Sequence, residues 1–451
     1  MKRSSYVALL ATLMTASAWG QEVSLYGTTM AQMWKEATPG FSKATFTPAT
    51  QYLGIDATKL GSDNLSLHLF GWGQKDLGDA TGPDGTKSGG YLNYGYLQYR
   101  FNQANAEIRA GRFTVNQSTG FEQVDGVSAR TDLVNGFTVS GFVGKPVLYK
   151  TVDPRDQKDY GFQRDFIFGA RLGWRMGRAA EVGLSYLQDG TKAAKDLTFP
   201  SPVDYTRKQL GADITITPTS TFDLRGRTVF DVANQRTNTA EQDYTATLKL
   251  GSQFAVSGNY VERNFVYLFA GTNLPSLFRQ DENDAFRGIG GKLTWMTTAS
   301  FQMTADYREM HRDSFGDSNR FGGDLRWEFN EKSVLLGMAG HRVIAVDTKF
   351  VDPAAPYKSL SYREARVWTL VTKGKFTASL DGIIQQFENG NPFLGKARKV
   401  YEGVGSLGYQ ATSSLKVSGD VSYGTSVMSV HETRGMLKAE YRFGTAKKGG
   451  K

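Results

Sequence analysis

Apolar and polar residues alternate along most of this chain. In the segment 221–232, Phe222, Leu224 and Phe230 share one face, whereas Asp223 and Arg225 share the other. The same alternation occurs at 300–308, 321–329, 415–423 and 437–443. A period of two is typical of β-strands with one apolar face. The runs last about ten to fourteen residues, longer than most strands of soluble sheets, and suit tilted strands that cross a bilayer.

Short and long connections alternate between these runs. The short turns fall at 61–63, 102–104, 135–136, 177–178, 218–220, 251–252, 298–299, 330–332, 373–374 and 411–413. The longer polar connections include 74–90, 145–161, 189–204, 264–284, 347–361 and 388–396. With a first strand from Val23 and a last strand to Phe443, the pattern predicts an all-β transmembrane antiparallel up-and-down barrel. We expect about 22 strands (20–24) and periplasmic termini, because outer-membrane barrels have short periplasmic turns. Alternation is weakest at 124–133 and 364–371.

The N-terminus has the layout of a secretory signal. Lys2 and Arg3 precede an apolar run over 6–16, which is followed by the small residues Ala16-Ser17-Ala18. This run is too short to span a bilayer as a helix. We predict a signal peptide over 1–20, cleaved after Ala18 or Gly20, a barrel over 21–444 and a polar tail over 445–451. Export through the general secretory pathway would deliver the chain to the outer membrane of a Gram-negative bacterium.

Composition excludes several kinds of chemistry. The chain has no cysteine, so it can form neither disulfides nor its own covalent c-type haem attachment. Its formal charge is +9; without the two charges of the signal and the three lysines of the tail, the barrel keeps +4. Charges of both signs are interleaved, and no basic patch indicates nucleic acid. No pattern of catalytic or metal-ligating residues indicates an enzyme, and we predict none.

The polar faces of the strands should line the interior of the barrel. Signs are mixed there, so cross-strand ion pairs that stiffen the wall are expected rather than a substrate ladder. The candidate lining residues are Arg171, Arg175, Arg225, Arg227, Lys292, Asp306, Arg308, Asp324, Arg326, Asp381, Asp420, Lys438, Glu440 and Arg442. No catalytic, cofactor-binding or metal-binding residue is predicted among them. A lone histidine, His68, is expected to face the interior as a polar liner.

Aromatic residues fall mostly near the ends of the predicted strands, where interfacial belts of a membrane barrel need them. The rings assigned to these belts are Tyr26, Trp34, Trp72, Tyr99, Phe101, Trp174, Tyr186, Trp295, Trp327, Tyr409, Tyr441 and Phe443. Outer-membrane lipids are accordingly the first expected partners of the chain.

The expected width of the barrel raises the question of what fills it. Twenty-two tilted strands imply a backbone diameter of roughly 40–45 Å. The chain has no spare domain to act as a plug. Inward-folded loops, a partner protein or an open pore are therefore the alternatives, of which the first two are favoured.

One region resembles a known family. Tyr96–Phe101, a tight turn and Glu107–Phe113, followed by Asp125-Gly126 and Gly141–Val147, are similar to the porin-like barrels of porin–cytochrome conduits in metal-reducing bacteria. The resemblance implies a barrel that acts as a sheath around a multihaem c-type cytochrome, with haem supplied only by that partner. Tight Gly-Arg hairpins also occur in ordinary porins. The residues after Phe443 displace the terminal Phe of general porins.

Two functions therefore follow from the sequence. The favoured one is the sheath of a trans-outer-membrane electron conduit. The alternative is a general diffusion porin for small hydrophilic solutes, narrowed by loops such as 264–284. Both are non-enzymatic passages across the outer membrane.

Overall fold

The computed structural model describes the strands and most of their short turns. The described residues are 22–35, 45–78, 87–102, 105–147, 166–190, 207–233, 237–264 with Tyr267, 285–298, 300–312, 316–329, 333–346, 361–388, 399–425 and 431–444. The predicted signal peptide, the polar tail and most of the longer connections lie outside these residues. Within the described part of the chain, no helix is long and apolar enough to cross a bilayer.

The strands follow one another in chain order. The first twelve are β1 (Glu22–Lys35), β2 (Thr45–Phe46), β3 (Pro48–Thr58), β4 (Leu65–Asp76), β5 (Ser88–Phe101), β6 (Ala106–Gln117), β7 (Gly120–Asp132), β8 (Phe137–Pro146), β9 (Ile167–Met176), β10 (Ala180–Asp189), β11 (Arg207–Thr219) and β12 (Phe222–Asp231). The others are β13 (Asn238–Leu250), β14 (Phe254–Asn264), β15 (Ala285–Thr298), β16 (Phe301–Arg312), β17 (Asp317–Phe329), β18 (Val334–Val346), β19 (Tyr362–Lys373), β20 (Phe376–Phe387), β21 (Lys399–Thr412), β22 (Leu415–Gly424) and β23 (Glu432–Gly444).

The sheet is closed and antiparallel throughout. Both β2 and β3 pair with β1, and from β3 onward each strand pairs with the next. Strand β1 also pairs with β23 from Ser24↔Gly444 to Trp34↔Arg434, so the described wall has no free edge. The two-residue β2 and the longer β3 pair with successive parts of β1 and together form one strand of the wall. The barrel therefore has 22 strands. The predicted closed antiparallel barrel and its strand count are confirmed, including the weakly patterned strands β7 and β19. The periplasmic position of the termini stays a prediction. Closure satisfies backbone hydrogen bonds in the wall, as a bilayer requires.

The tight turns lie at one end of the barrel, here called the short-turn end, and the opposite end is the long-loop end. At the turn between β7 and β8, Asn135 and Gly136 have φ angles of 59° and 81°. Few residue types other than Asn and Gly accept this left-handed backbone, which is why this dipeptide reverses the chain. The turn was predicted from these two residues.

The outer face of the wall is apolar. On the described strands, the large apolar side chains with high exposure lie on this face, apart from Phe121 and Leu370. Near the short-turn end they form an aromatic girdle, in which Phe254 stacks on Trp295 at 6.2 Å and Phe376 lies 4.9 Å from Tyr409. Soluble monomers rarely expose a continuous apolar surface of this size, whereas a membrane-spanning barrel requires it.

Candidate functional site

The inner face of the barrel carries the polar chemistry. Strand alternation and register place all fourteen candidate lining residues on the face opposite the exposed apolar residues. Register partners on neighbouring strands, such as Lys292 with Asp306 and Asp420 with Met436, point to the same face of the sheet. The inner face of one strand therefore determines the inner face of the next. His68 also lies on the inner face, where Nδ1 is 2.7 Å from Asp56 Oδ1 and the ring stacks on Tyr96.

Ion pairs cover the inner wall from β9 to β14. Arg171 donates to both carboxylate oxygens of Asp213, at 3.1 and 2.7 Å, although β10 lies between their strands. It is also 3.3 Å from Glu181, to which Arg175 donates at 2.8 Å. These contacts join three strands, so the charges predicted to stiffen the wall do contact one another.

A second network has a buried carboxylate at its centre. Glu241 lies 2.8 Å from both Arg227 and Arg263, and its side chain is only 4% exposed. Two guanidinium groups therefore share one acidic residue, and Arg263 also reaches Asp243 at 3.3 Å. This arrangement compensates for the cost of removing the carboxylate from water.

Further round the barrel, Asp306 is 3.0 Å from His341 and 3.4 Å from Arg320.

The remaining predicted charges behave in two ways. Arg225, Arg326, Asp381, Lys438 and Glu440 form ion pairs with neighbouring residues. Lys292, Arg308, Asp324, Asp420 and Arg442 have no ion-pair partner among the described residues and are the charges most available to a solute.

A row of glycines marks a bend in the wall. Gly111, Gly126 and Gly144 are register neighbours on β6, β7 and β8. Gly111 has a φ of 127°, and a Cβ on Gly126 would lie 2.0 Å from the carbonyl oxygen of Val143. Only glycine permits this backbone and this close approach. Beyond this row, β6 separates from β5, whose pairing with β6 ends at Gly95↔Arg112.

The segment 112–125, here called the inward hairpin, turns into the interior past this row. On the side facing the wall, Phe113 and Val124 are 1% and 0% exposed. They pack with Phe142, Ile167 and Leu187, which stand on the inner faces of β8, β9 and β10. This apolar cluster holds the hairpin flat against the wall, because its exposure to water would cost the burial energy of five large side chains.

The tip of the inward hairpin reaches strands that are not its neighbours in the sheet. Ser118 donates a 2.6 Å hydrogen bond to Ser185 on β10, and a Cβ on Gly211 of β11 would lie 2.9 Å from the Thr119 nitrogen. Arg207 on β11 pairs with Glu122. Since β8 and β9 lie between, these contacts cross the concave side of the wall. They identify the polar face as the interior.

At its base the inward hairpin is tied to β5. Arg112 forms a bidentate pair with Asp125, at 2.7 Å for both bonds, and donates to the Leu92 carbonyl at 3.0 Å. The Gln123 amide donates to the neighbouring Asn93 carbonyl. Side chains of the inward hairpin thus bind β5 carbonyl groups beyond Gly95, where the pairing of β5 with β6 ends.

The free side of the inward hairpin faces the open interior. Phe121 is 63% exposed there, and Thr114 and Asn116 lie on the same side. A recess of about 510 Å³ separates the tip from the ion-paired wall at Arg171, Asp213 and Arg227. A solute that passes along this wall would contact the hairpin and the charges together.

The inner wall from β1 to β5 is mainly aromatic. We call the residues Tyr26, Tyr52, Phe70, Tyr94 and Tyr96 the aromatic wall. Its ring centroids follow each other at 5.6 to 6.3 Å, and the Tyr26 and Tyr94 hydroxyls lie 2.8 Å apart. Arg109 covers the Tyr96 ring at 5.6 Å. Tyr26 lies over Gly54, where a Cβ would approach its ring to 2.3 Å.

This arrangement corrects one sequence prediction. Tyr26, Trp34 and Trp72 were assigned to the interfacial belts, but alternation and register place them on the inner face. Aromatic side chains serve both faces of a strand, so proximity to a strand end does not determine the face. The other predicted belt residues, such as Trp174, Trp295 and Phe443, do lie on the outer face.

The inward hairpin itself was not predicted, since none of the expected long connections included 114–123. Sequence signals for it existed in Gly111 and Gly126, but strand glycines also occur where nothing bends. Among the described residues, no three His, Asp or Glu side chains gather in a way that could hold a metal ion.

Comparison with known proteins finds similar folds only among solved structures of low sequence identity. No protein-family model matches the chain, and no curated protein sequence matches it. Among solved structures it is similar to the P pilus usher (PapC) translocation pore, with 10% identity and a TM-score of 0.48 over 94% of this chain and 100% of that chain. It is also similar to Pseudomonas aeruginosa OccK7 (OpdD), with 9% identity and a TM-score of 0.42. Acinetobacter baumannii OccAB3 is similar as well, with 8% identity and a TM-score of 0.43. Each of these two comparisons covers 94% of this chain and 99% of the other chain. At these values no functional property passes from these proteins to this chain.

Proposed function

We propose that this chain is a non-enzymatic outer-membrane passage, a water-filled pore for small hydrophilic solutes that the inward hairpin narrows. The closed apolar outer face supports insertion in a bilayer, and the polar inner face supports water within. We also propose that the short-turn end faces the periplasm, as is usual for such barrels.

The observation that carries the proposal is the packed inward hairpin. Phe113 and Val124 are fully buried against the chain's own inner wall, so the hairpin is a fixed part of the interior. A sheath that encloses another protein needs that volume free. A pore gains from the hairpin, because it reduces the cross-section while leaving the ionic and aromatic walls accessible.

The sheath of a multihaem cytochrome is the second candidate. Its support is the resemblance at Tyr96–Val147, whose glycines Gly111, Gly126 and Gly144 form the bend. The resemblance therefore concerns the inside of the barrel, where a partner would sit. Haem would come only from that partner, and the barrel would remain electrically passive.

One purification distinguishes the two candidates. The chain, extracted from membranes in mild detergent, is tested for absorbance in the haem Soret region and then for ion current in planar bilayers. A colourless protein with a steady current supports the pore. A co-purifying haem chromophore with little current supports the sheath, and absence of both haem and current contradicts the proposed passage.

A further inference from the structure

The aromatic wall borders a recess with mixed chemistry. This recess, of about 420 Å³, is lined by Tyr26, Tyr52 and Phe70 on one side. On the other side it meets β21–β23 and the turn between β21 and β22, which contribute Gln410, Ser414, Lys416, Glu440 and Arg442. Thr28 of β1 lies opposite Glu440 and also lines the recess. Apolar ring faces and several hydrogen-bonding groups therefore converge on one concave surface, as in small-molecule sites.

The polar groups of this recess offer donors and acceptors together. Lys416 and Arg442 have no ion-pair partner among the described residues, so their N–H groups are available to a ligand. Glu440 lies beside them and is only 3.4 Å from Lys438. A ligand rich in hydroxyl groups can accept from Lys416 and Arg442 and donate to Glu440, whereas a simple anion offers this carboxylate no donor.

The rings extend beyond the recess as a series. From Tyr26 and Tyr52 they pass through Phe70 to Tyr94 and Tyr96, and Tyr96 packs against the buried cluster under the inward hairpin. The Tyr26, Tyr52 and Tyr94 rings lie within 15 to 26° of the Phe70 plane. Such a row favours a ligand with repeated apolar faces over one with a single ring.

We propose that the recess and the Tyr26, Tyr52, Phe70 and Tyr94 rings of the aromatic wall form a binding track for neutral oligosaccharides, which stack on these rings while their hydroxyl groups bond to Lys416, Glu440 and Arg442. This inference rests on the proposed pore, whose substrate class it specifies. The track leads from the short-turn end towards the base of the inward hairpin, so a bound chain would lie along the route of passage.

The test uses the full-length mature protein in planar bilayers, with linear glucose oligosaccharides of one to six units as probes. We expect them to block the ion current with an affinity that rises with chain length. Polyethylene glycol of the same size should not show this rise. Substitution of Phe70→Leu or Tyr52→Ala should weaken the block about tenfold, the effect of losing a stacking contact of about 1.4 kcal/mol.

Trp368→Ala provides the matched control. Trp368 is also an aromatic residue of the inner face, but it stands on β19 beneath Arg366 and belongs neither to the recess nor to the aromatic wall. Its removal should leave the block unchanged. Equal weakening by Trp368→Ala and Phe70→Leu, a block that polyethylene glycol reproduces, or a block by benzoate without one by the glucose oligosaccharides would each overturn the proposal.

A second measurement separates this inference from the pore itself. Titration of the detergent-solubilised protein with the same oligosaccharides, followed by intrinsic fluorescence, needs no current. Binding that Phe70→Leu weakens, in a protein without current, would contradict the pore but support the track. A current without any oligosaccharide binding would support the pore and overturn the track. Folding of each variant is checked by its heat-dependent mobility on gels.

Discussion

Ser118 and Ser185 are joined by a 2.6 Å hydrogen bond, although they are 67 residues apart and the β6–β7 hairpin is not a neighbour of β10 in the sheet. Both side chains are almost fully buried. The contact is possible only because the β6–β7 hairpin leaves the wall at its glycine row and lies across the inner faces of β8 and β9. The interior of the barrel is therefore shaped by its own wall strands.

A cysteine pair tests this contact directly. The chain has no native cysteine, so Ser118→Cys with Ser185→Cys introduces one possible disulfide, and their oxygens already lie within the reach of such a bond. We expect rapid oxidation, measured as loss of thiol alkylation and a mobility shift on non-reducing gels. Ion current should not change on oxidation, because the disulfide would hold the tip of the inward hairpin against β10, where it already lies.

The control pairs Ser118→Cys with Ser422→Cys, which stands on the inner face of β22. This pair should remain reduced under the same conditions. Oxidation of both pairs at equal rates would show that the hairpin tip samples the whole interior and would contradict its fixed position.

Gly126→Val should release the inward hairpin. The new side chain would begin 2.0 Å from the Val143 carbonyl oxygen, and this backbone atom cannot rotate away. We expect a destabilisation of about 1–3 kcal/mol from overpacking and a larger single-channel conductance. Denaturant unfolding measures the loss of stability, and planar-bilayer recording measures the conductance.

Gly405→Val is the matched control for this substitution. Gly405 also lies within a strand, but a Cβ there meets no atom within 4 Å and points to the outer face. Its stability should change by less than about 0.5 kcal/mol and its conductance should stay the same. A wild-type conductance for Gly126→Val would count against the hairpin as the constriction.

Two phenylalanines of the same hairpin should respond in opposite ways. Phe113→Ala opens a cavity in the buried cluster and should cost about 3–5 kcal/mol of unfolding free energy. Phe121→Ala removes a ring that is 63% exposed to the interior and should leave stability within about 0.5 kcal/mol, while it raises conductance. Denaturant titration and single-channel recording of both variants test this, and equal stability losses would refute the assigned faces of the hairpin.

Adjacent residues on β23 test the inner and outer faces of the wall. Leu437 is 68% exposed on the outer face near the middle of its strand, and Met436 points inward. Leu437→Arg should destabilise the folded barrel in lipid vesicles by about 2–4 kcal/mol, because it places a charge in hydrocarbon. Met436→Arg should cost less than about 1 kcal/mol, since water reaches the inner face. The reverse order would show that the faces were assigned the wrong way round.

Much of the interior could be predicted from local pattern. Period-two alternation placed Arg171, Asp306 and Glu440 on the polar face, and the register agrees for each. The sequence could not predict which charges meet, because Arg171 bonds to Asp213 across an intervening strand. It also misplaced Tyr26, since an aromatic ring is equally compatible with lipid and with a packed inner wall.

By itself, the sequence determined the closed 22-strand barrel, its tight turns and its two faces, because strand alternation and turn chemistry act between residues close in the chain. Only the tertiary structure decided what occupies the interior. The inward hairpin and the aromatic wall depend on contacts between distant strands, such as Ser118 with Ser185 and Tyr26 with Tyr94. Such contacts form only when closure of the sheet brings those strands around one concave space. A local sequence pattern does not encode which distant residues then come into contact.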